Sequence, residues 1–204
     1  MFHKSAWLAA AVLVLVAASA RAEIVKLAVF DCAKNEICLY IWPKLPAVAG
    51  WHTDEQANYE NKINTLVPDG FTFDNTETVI YAEATDQRGY KTDHPDVTPL
   101  EGYIKDDMDT FRENNPDVEI VEADPLVTAD GHKLRTFGFS KLKKDRCQIV
   151  AYGEEDNYYI IFVIDSRDEA GLARNLETYR ALVKSYMPGG NAKPDEYTFI
   201  KRDK

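Results

Sequence analysis

The residues best suited to binding a metal ion lie in one polar stretch of the chain. Asp93, His94 and Asp96 follow one another closely, and Glu83 and Asp86 precede them. A loop can direct several carboxylate oxygens and an imidazole at one cation. The same residues also fit a polar loop leading into a helix, where Asp96 lies near the positive end of the helix dipole. Asp93, His94 and Asp96 are therefore candidate ligands, but the sequence does not assign a metal site.

Other acidic and imidazole side chains form no recognisable metal motif. The chain lacks a calcium loop of the D-x-D-x-D-G type. Asp106, Asp107 and Asp109 fall on a predicted helix, where short side chains diverge. The histidines after residue 22 are widely spaced: His52, His94 and His132. The sequence predicts no cofactor.

Nucleophilic catalysis is also not predicted. A hydrolase of the G-x-S-x-G type needs an exposed serine on a tight turn beside a base. Ser140 follows Gly138 but lacks the second glycine, so we interpret it as the end of a strand. The sequence therefore predicts no catalytic residue and a protein that is not an enzyme.

The chain has three cysteines, Cys32, Cys38 and Cys147, without a C-x-x-C pair for zinc binding or thiol exchange. Cys32 and Cys38 flank five residues between two apolar runs, so a hairpin would bring them within bonding distance. We predict a Cys32–Cys38 disulfide, which stabilises by about 2 kcal/mol by closing a short loop. Cys147 is then predicted to be buried, unless it is exposed and pairs with another chain.

The first 22 residues resemble a secretory signal peptide. Lys4 precedes an apolar run over residues 6–18, and small residues at 20 and 22 form an A-x-A cleavage site. A retained membrane helix would need about 20 apolar residues, more than this run contains. We expect cleavage before Glu23 and a periplasmic or secreted protein that is not inserted in the membrane.

Cleavage leaves 182 of the 204 residues, enough for one domain with appendages. Lys4 and Arg21 are removed, so 22 of the 24 basic residues remain against 34 acidic ones, a formal charge of −12. This charge argues against nucleic acid and anionic membranes as partners. It favours solubility or, alternatively, electrostatic attraction of a cationic protein partner.

The N-terminal part of the mature chain predicts a hairpin of two strands, at 24–30 and 37–42. Two prolines and a glycine make 43–50 a linker, and the main domain begins near Trp51. Thr53 and Gln56 favour capping of a short helix. Tyr40, Trp42, Trp51 and Tyr59 either fill the seam between hairpin and domain or form an exposed interface.

The middle of the chain predicts a turn, strands and a capped helix. The turn at 68–70 leads to strands at 71–73 and 78–84, and the polar stretch 85–97 has no periodicity. Thr98 caps a helix that starts at Pro99 and stops before Asn115. Its apolar stripe consists of Leu100, Ile104, Met108 and Phe111.

Four further strands are predicted from alternating or continuous apolar residues. Their ranges are 118–122 (or on to 127), 133–140, 147–152 and 158–165. Asp130-Gly131 indicates a type I′ hairpin turn, and residues 153–157 reverse the chain again. The near-continuous apolar run 158–164 predicts a central strand that is buried on both faces.

A second capped helix follows the last of these strands. Ser166 and Glu169 form the expected capping box, and residues 188–190 end the helix. Its stripe consists of Leu172, Leu176, Tyr179, Val183 and Tyr186. Residues 197–200 either add an edge strand or stay mobile.

These elements predict an α+β fold, a mostly antiparallel sheet flanked by helices (an αβα sandwich) with an N-terminal β-hairpin. The expected divisions are a signal peptide at 1–22, a hairpin and linker at 23–50, the sandwich at 51–187 and a C-terminal tail at 188–204.

The order of elements resembles the PsbP-like superfamily over about residues 51–187. The local pattern is L-V-P-D-G-F at 66–71, the strand at 79–81 before a capped helix, and the strand at 159–164 before the last helix. The resemblance implies an αβα sandwich and a non-enzymatic accessory or binding module. The N-terminal hairpin and the C-terminal extension are not part of this pattern.

Three functions are compatible with the sequence. The first is an exported, soluble, non-catalytic accessory or partner-binding protein of the cell envelope, which uses the hairpin, the 85–97 segment or an acidic surface. The second is an inhibitor or immunity protein that binds a cationic enzyme such as a cell-wall hydrolase. The third is a metal-dependent enzyme that uses the acidic loop.

Overall fold

The computed structural model describes residues 24–31, 36–96, 99–189 and 197–202. They form an α+β structure with a large antiparallel sheet between helices, which confirms the predicted fold class. The signal segment and Cys32 lie outside the described residues, so cleavage and the Cys32–Cys38 disulfide stay predictions. Cys147 is buried, as predicted, and burial raises the pKa of its thiol to about 11.

In chain order the elements are β1 (Ile24–Asp31), β2 (Glu36–Pro43), β3 (Trp51–His52), α1 (Glu55–Asn61), β4 (Asn64–Pro68), β5 (Thr78–Asp86), α2 (Gln87–Asp93), α3 (Pro99–Asn114), β6 (Glu119–Val127), β7 (Lys133–Ser140), β8 (Cys147–Glu155), β9 (Tyr158–Ser166), α4 (Glu169–Ser185) and β10 (Thr198–Arg202). A 3₁₀ turn, Lys143–Asp145, lies between β7 and β8.

The larger sheet has seven strands in the order β3-β4-β5-β9-β8-β7-β6. All neighbours are antiparallel, as expected from the short reversals between consecutive strands. The smaller sheet has the order β10-β1-β2, in which β1 and β2 form the predicted hairpin. β10 pairs with β1 in parallel, so the C-terminal tail adds an edge strand.

β9 lies at the centre of the seven-stranded sheet and is buried along its whole length, as the apolar run predicted. Its side chains alternate between the two faces. Ile160 and Phe162 pack beneath α4, and Ile161 and Val163 pack beneath α3. Because a helix covers each face of the sheet at β9, apolar residues occupy both faces of this strand and do not alternate with polar ones.

Each long helix buries the stripe predicted from the sequence. On one face, the residues of α4 and its C-cap that join the core are Leu172, Leu176, Tyr179, Leu182, Val183 and Tyr186. On the other face, the α3 residues are Leu100, Tyr103, Ile104, Met108 and Phe111. The two helices therefore sandwich the sheet.

The small sheet is joined to the domain by aromatic rings and by a buried lysine. Tyr40 packs against Trp42 and Tyr59, with ring centroids 5.6 and 5.2 Å apart. Trp51 joins the core beneath α4 instead. Lys26 is buried, with its ammonium 5.1 Å from the centre of the Tyr158 ring. These contacts place Tyr40, Trp42 and Tyr59 in the seam, one of the two predicted arrangements, but not Trp51.

The predicted caps of two helices are wrong by one or two residues. Asp168, not Ser166, caps α4, because its carboxylate accepts the Gly171 amide at 2.7 Å. Ser166 instead ends β9, and its buried hydroxyl lies 3.0 Å from that of Thr78. Asp54, not Thr53, caps α1.

The 71–73 strand prediction is wrong. The amides of residues 71–73 have partners outside any strand, since Phe71 donates to the Pro68 carbonyl and Phe73 donates to the Asp54 carboxylate. These amides are therefore not available to a sheet.

Two other local predictions are corrected. The 85–97 segment contains a short helix, α2. The Asp86 carboxylate caps this helix by accepting the Arg88 amide at 2.8 Å. The β6–β7 turn is not type I′, since Gly131 has a positive φ and Asp130 does not. The loop is longer, with the Thr128 amide donating to the His132 carbonyl. The 153–157 reversal is shorter than predicted, as β8 continues to Glu155.

Candidate functional site

The predicted metal candidates do not converge. Asp93 and Asp96 are exposed, whereas the His94 ring stacks on Tyr90 with centroids 4.5 Å apart. The Nδ1 atom of His94 lies 3.6 Å from the carboxylate of Asp106. Among the described residues, no group of three or more His, Cys, Asp and Glu side chains is arranged to hold a metal ion. His94 therefore fastens α2 to α3.

The acidic residues upstream of these candidates have separate roles. Asp86 caps α2 and pairs with Arg88 at 2.9 Å. Glu83 points toward α3 instead, and burial raises the pKa of its carboxyl group, with a further contribution from Asp107. Glu83 is thus part of the interface between the sheet and α3.

A cluster of tyrosines and carboxyl groups lies in this interface. We call it the α3 cluster, and its members are Glu83, Tyr103, Asp107, Tyr152 and Tyr159. Tyr152 donates to the Asp107 carboxylate at 2.6 Å, and Tyr103 stacks on Tyr159 at 4.5 Å. Burial raises the pKa of Asp107, although the bond from Tyr152 lowers it.

The α3 cluster could exchange protons, but its rings fill the space between helix and sheet. Tyr152 and Tyr159 are both buried, and Tyr103 also binds the Thr85 hydroxyl at 3.2 Å. This packing favours a structural role in holding α3 against the sheet.

Sequence reasoning missed the α3 cluster, although one signal was present. Asp107 lies four residues after Tyr103 and four before Phe111, so a helical turn places it on the apolar stripe. A carboxylate on an apolar stripe needs a buried polar partner. The sequence does not show that this partner is Tyr152.

The end of the seven-stranded sheet that is formed by β6 is open. β6 is the last strand, and most of its residues are exposed. Its side facing away from β7 pairs with no strand in the described part of the chain. Val121 is 66 % exposed, although it is a large apolar residue in the middle of the strand.

Acidic side chains surround this open strand. We call β6 and the side chains around it the acidic edge, whose carboxylates are Glu101, Asp117, Glu119, Glu122 and Asp124. Arg135 pairs with both Glu101 and Glu122, and Lys141 pairs with Glu119. Asp117 and Asp124 have no ion-pair partner among the described residues. Two of the five carboxylates therefore have no ion pair there, although Lys143 lies near Asp117 and Arg180 near Asp124.

A β-bulge shapes the second half of the acidic edge. Ala123 pairs with Thr136 and Leu126 with Leu134, so one extra residue lies on β6 between these pairs. The Leu126 amide donates to the Thr136 hydroxyl at 3.1 Å. Beside the bulge, a groove of about 410 Å³ lies between β6 and α4. Its apolar lining consists of Leu126, Ile149, Leu176 and Tyr179.

The small sheet has the other exposed apolar surface. Ile37, Leu39 and Phe199 are each more than half exposed. Leu39 and Phe199 both pair with Ala28 and so form one row across the sheet, and Ile37 lies two residues before Leu39 on the same face of β2. Of the three surfaces proposed from the sequence, the hairpin has an exposed apolar face. The described part of the second, residues 85–96, contacts α3 through Tyr90 and His94. The acidic edge combines charge with a free strand.

No protein-family model and no curated protein matches the chain. The PsbP-like resemblance stays a prediction. No helix in the described ranges is both long and apolar enough to cross a membrane.

Proposed function

We propose that this chain is an exported, non-catalytic partner-binding protein of the cell envelope, and that its acidic edge binds a cationic segment of another protein. The observation that carries the proposal is the combination found at β6. This strand has an open side, an exposed valine and three exposed carboxylates, of which Asp124 has no ion-pair partner among the described residues. The expected charge of −12 for the mature chain supports the same type of partner.

Carboxylates on an edge strand also have a protective role. Charged residues, prolines and bulges keep exposed edges from pairing with one another. β6 has all three features, including Pro125 within the bulge. The charges that repel a second copy of this acidic chain, however, attract a basic segment. Protection from self-association and selection of a cationic partner are therefore compatible.

Electrostatic attraction has a measurable signature. Complementary charges speed association. At physiological ionic strength, salt largely screens this attraction beyond a distance of about 8 Å. Binding at the acidic edge should therefore weaken as salt is added. Binding at the apolar row of the small sheet should be much less sensitive to salt.

The test is capture of envelope proteins by immobilised residues 23–204, washed at low and at high salt and identified by mass spectrometry. The test variant is the double substitution D117N/D124N. The control is D74N/D93N, which removes the same charge from exposed positions away from the acidic edge. We expect a basic protein that high salt releases, with retention reduced about tenfold by D117N/D124N and unchanged in the control.

Other results would redirect the proposal. If the wild type, D117N/D124N and D74N/D93N all retain the captured protein equally, binding at the acidic edge is contradicted. Loss of retention in Leu39→Ser alone would move the interface to the small sheet. If the captured protein is an enzyme that the chain inhibits, the inhibitor or immunity function replaces the accessory function.

A further inference from the structure

We infer that the cationic partner binds by adding an extended strand to β6, in which apolar residues alternate with lysine or arginine. This inference rests on the proposed function, because it specifies how the acidic edge recognises its partner. An added strand gains affinity from main-chain hydrogen bonds and specificity from alternate side chains.

The main chain of β6 is regular over the length that such a strand needs. Residues from Glu119 to Ala123 pair with β7 in unbroken register, from Ser140 to Thr136. Every second residue of a strand directs its amide and carbonyl groups away from its partner. The outer side of β6 therefore offers donors and acceptors along this stretch. The bulge and Pro125 end it, which limits the added strand to about five residues.

The face toward α4 is suited to apolar side chains. Val121 and Ala123 lie on this face, opposite Gly138 and Thr136 on β7. Gly138 has no side chain, and a Cβ atom there would still be 4.0 Å from its nearest neighbour, the Val121 carbonyl oxygen. Val121 is thus not covered from the β7 side. An apolar residue of an added strand would lie beside Val121 and remove its side chain from water.

The groove beside the bulge accommodates one larger side chain. Leu126, Ile149 and Leu176 provide apolar walls, and its volume of about 410 Å³ lies in the range of ligand pockets. Asp124 also lines the groove and has no ion-pair partner among the described residues, whereas Arg180 pairs with Glu177 at 2.7 Å. A lysine or arginine of the added strand would supply the missing cation for Asp124.

The other two surfaces do not specify an occupant. The apolar row of the small sheet has no feature that distinguishes one covering partner from another. A hollow of about 580 Å³ beside the end of α3 is lined by Lys141 and Lys143 but also by Asp117 and Asp145, so its charges balance. Of the surfaces compared in the described part of the chain, the acidic edge is the one that combines a free backbone, a charge preference and an apolar face.

The test uses a fluorescein-labelled peptide of eight residues in which lysine and valine alternate, with both ends blocked. Two further peptides carry N-methyl groups on the valines only or on the lysines only. In a strand, alternate amides point to the same side, so only one of these sets faces β6. We expect one methylated peptide to bind residues 23–204 at least about tenfold more weakly than the parent, and the other to bind about equally well.

Protein variants locate the binding site. Val121→Ser should lower the affinity for the unmethylated parent peptide. Val127→Ser, an equivalent change beyond the bulge, should leave this affinity unchanged. If both methylated peptides bind as tightly as the parent, strand addition is wrong, but salt-dependent binding would still support the proposed function. If the parent peptide does not bind, or if D117N/D124N leaves its affinity unchanged, the acidic edge is not the binding surface.

Discussion

β9 and β6 are strands of equal length in the same sheet, yet their surroundings are opposite. All nine residues of β9 are buried, whereas seven of the nine in β6 are exposed. α3 and α4 cover both faces of β9, and neighbouring strands pair with both of its sides. The position of each strand in the sheet explains this difference. The central strand is buried and contributes to stability, and the edge strand is accessible for binding.

Charged residues follow the same division. The one carboxylate of β9, Asp165, is buried and pairs with Arg146. Burial raises the pKa of Asp165, although Arg146 opposes this effect. On β6 the carboxylates remain in water, and Asp124 has no ion-pair partner among the described residues. The carboxylate of β9 is thus paired within the fold, whereas the carboxylates of β6 remain accessible to a partner.

Truncation of the central strand should have the largest effect on stability. Phe162→Ala removes a buried ring from the core beneath α4 and should lower the free energy of unfolding by about 3–5 kcal/mol. Val121→Ala on the exposed edge should change it by less than about 0.5 kcal/mol. Urea denaturation of both variants measures the difference. Similar losses would show that β6 is as important to the core as β9.

A smaller effect is expected at the α3 cluster, where it depends on pH. The folded-state pKa of Asp107 is raised by burial, so the folded chain holds a proton that the unfolded chain has lost. Stability from this group is present below the ordinary carboxyl pKa of about 4 and is lost as pH rises through the folded pKa. Asn does not ionise, so Asp107→Asn should not lose stability in this way. Between pH 4 and 7 the free energy of unfolding of the variant should therefore rise relative to that of wild type.

Asp109→Asn is the matched control on the same helix. Hydrogen bonds from Lys105 and Arg112 lower the pKa of Asp109, so its charge stabilises the folded state as pH rises. This variant should lose stability relative to wild type over the same pH interval. Chemical denaturation at pH 4 and 7 measures both trends. The same trend for both variants would contradict a raised pKa of Asp107 in the folded chain.

The sequence was sufficient to predict the elements that bury apolar residues. The apolar run of β9 and the stripes of α3 and α4 have periods that distinguish strands from helices. α2 was missed because it is short and polar, with Tyr90 as its main contact to α3. The error at Ser166 arose because Asp168 offers an equally good cap two residues later.

The α3 cluster and the acidic edge were less predictable because they depend on strand order. Glu83 lies on β5 and Tyr152 on β8, and β9 is inserted between them although it follows both in the chain. The acidic edge was expected only as a negative surface. Its location follows from the position of β6 at the end of the sheet, which local sequence patterns do not specify.

The most direct test of binding at the acidic edge is amide hydrogen exchange of ¹⁵N-labelled residues 23–204, with and without the lysine–valine peptide. We predict that alternate amides between Glu119 and Ala123 exchange about tenfold more slowly when the peptide is bound, while the amides of β9 remain slow in both states. Unchanged exchange in β6, or new protection at Ile37 to Leu39 instead, would contradict this account.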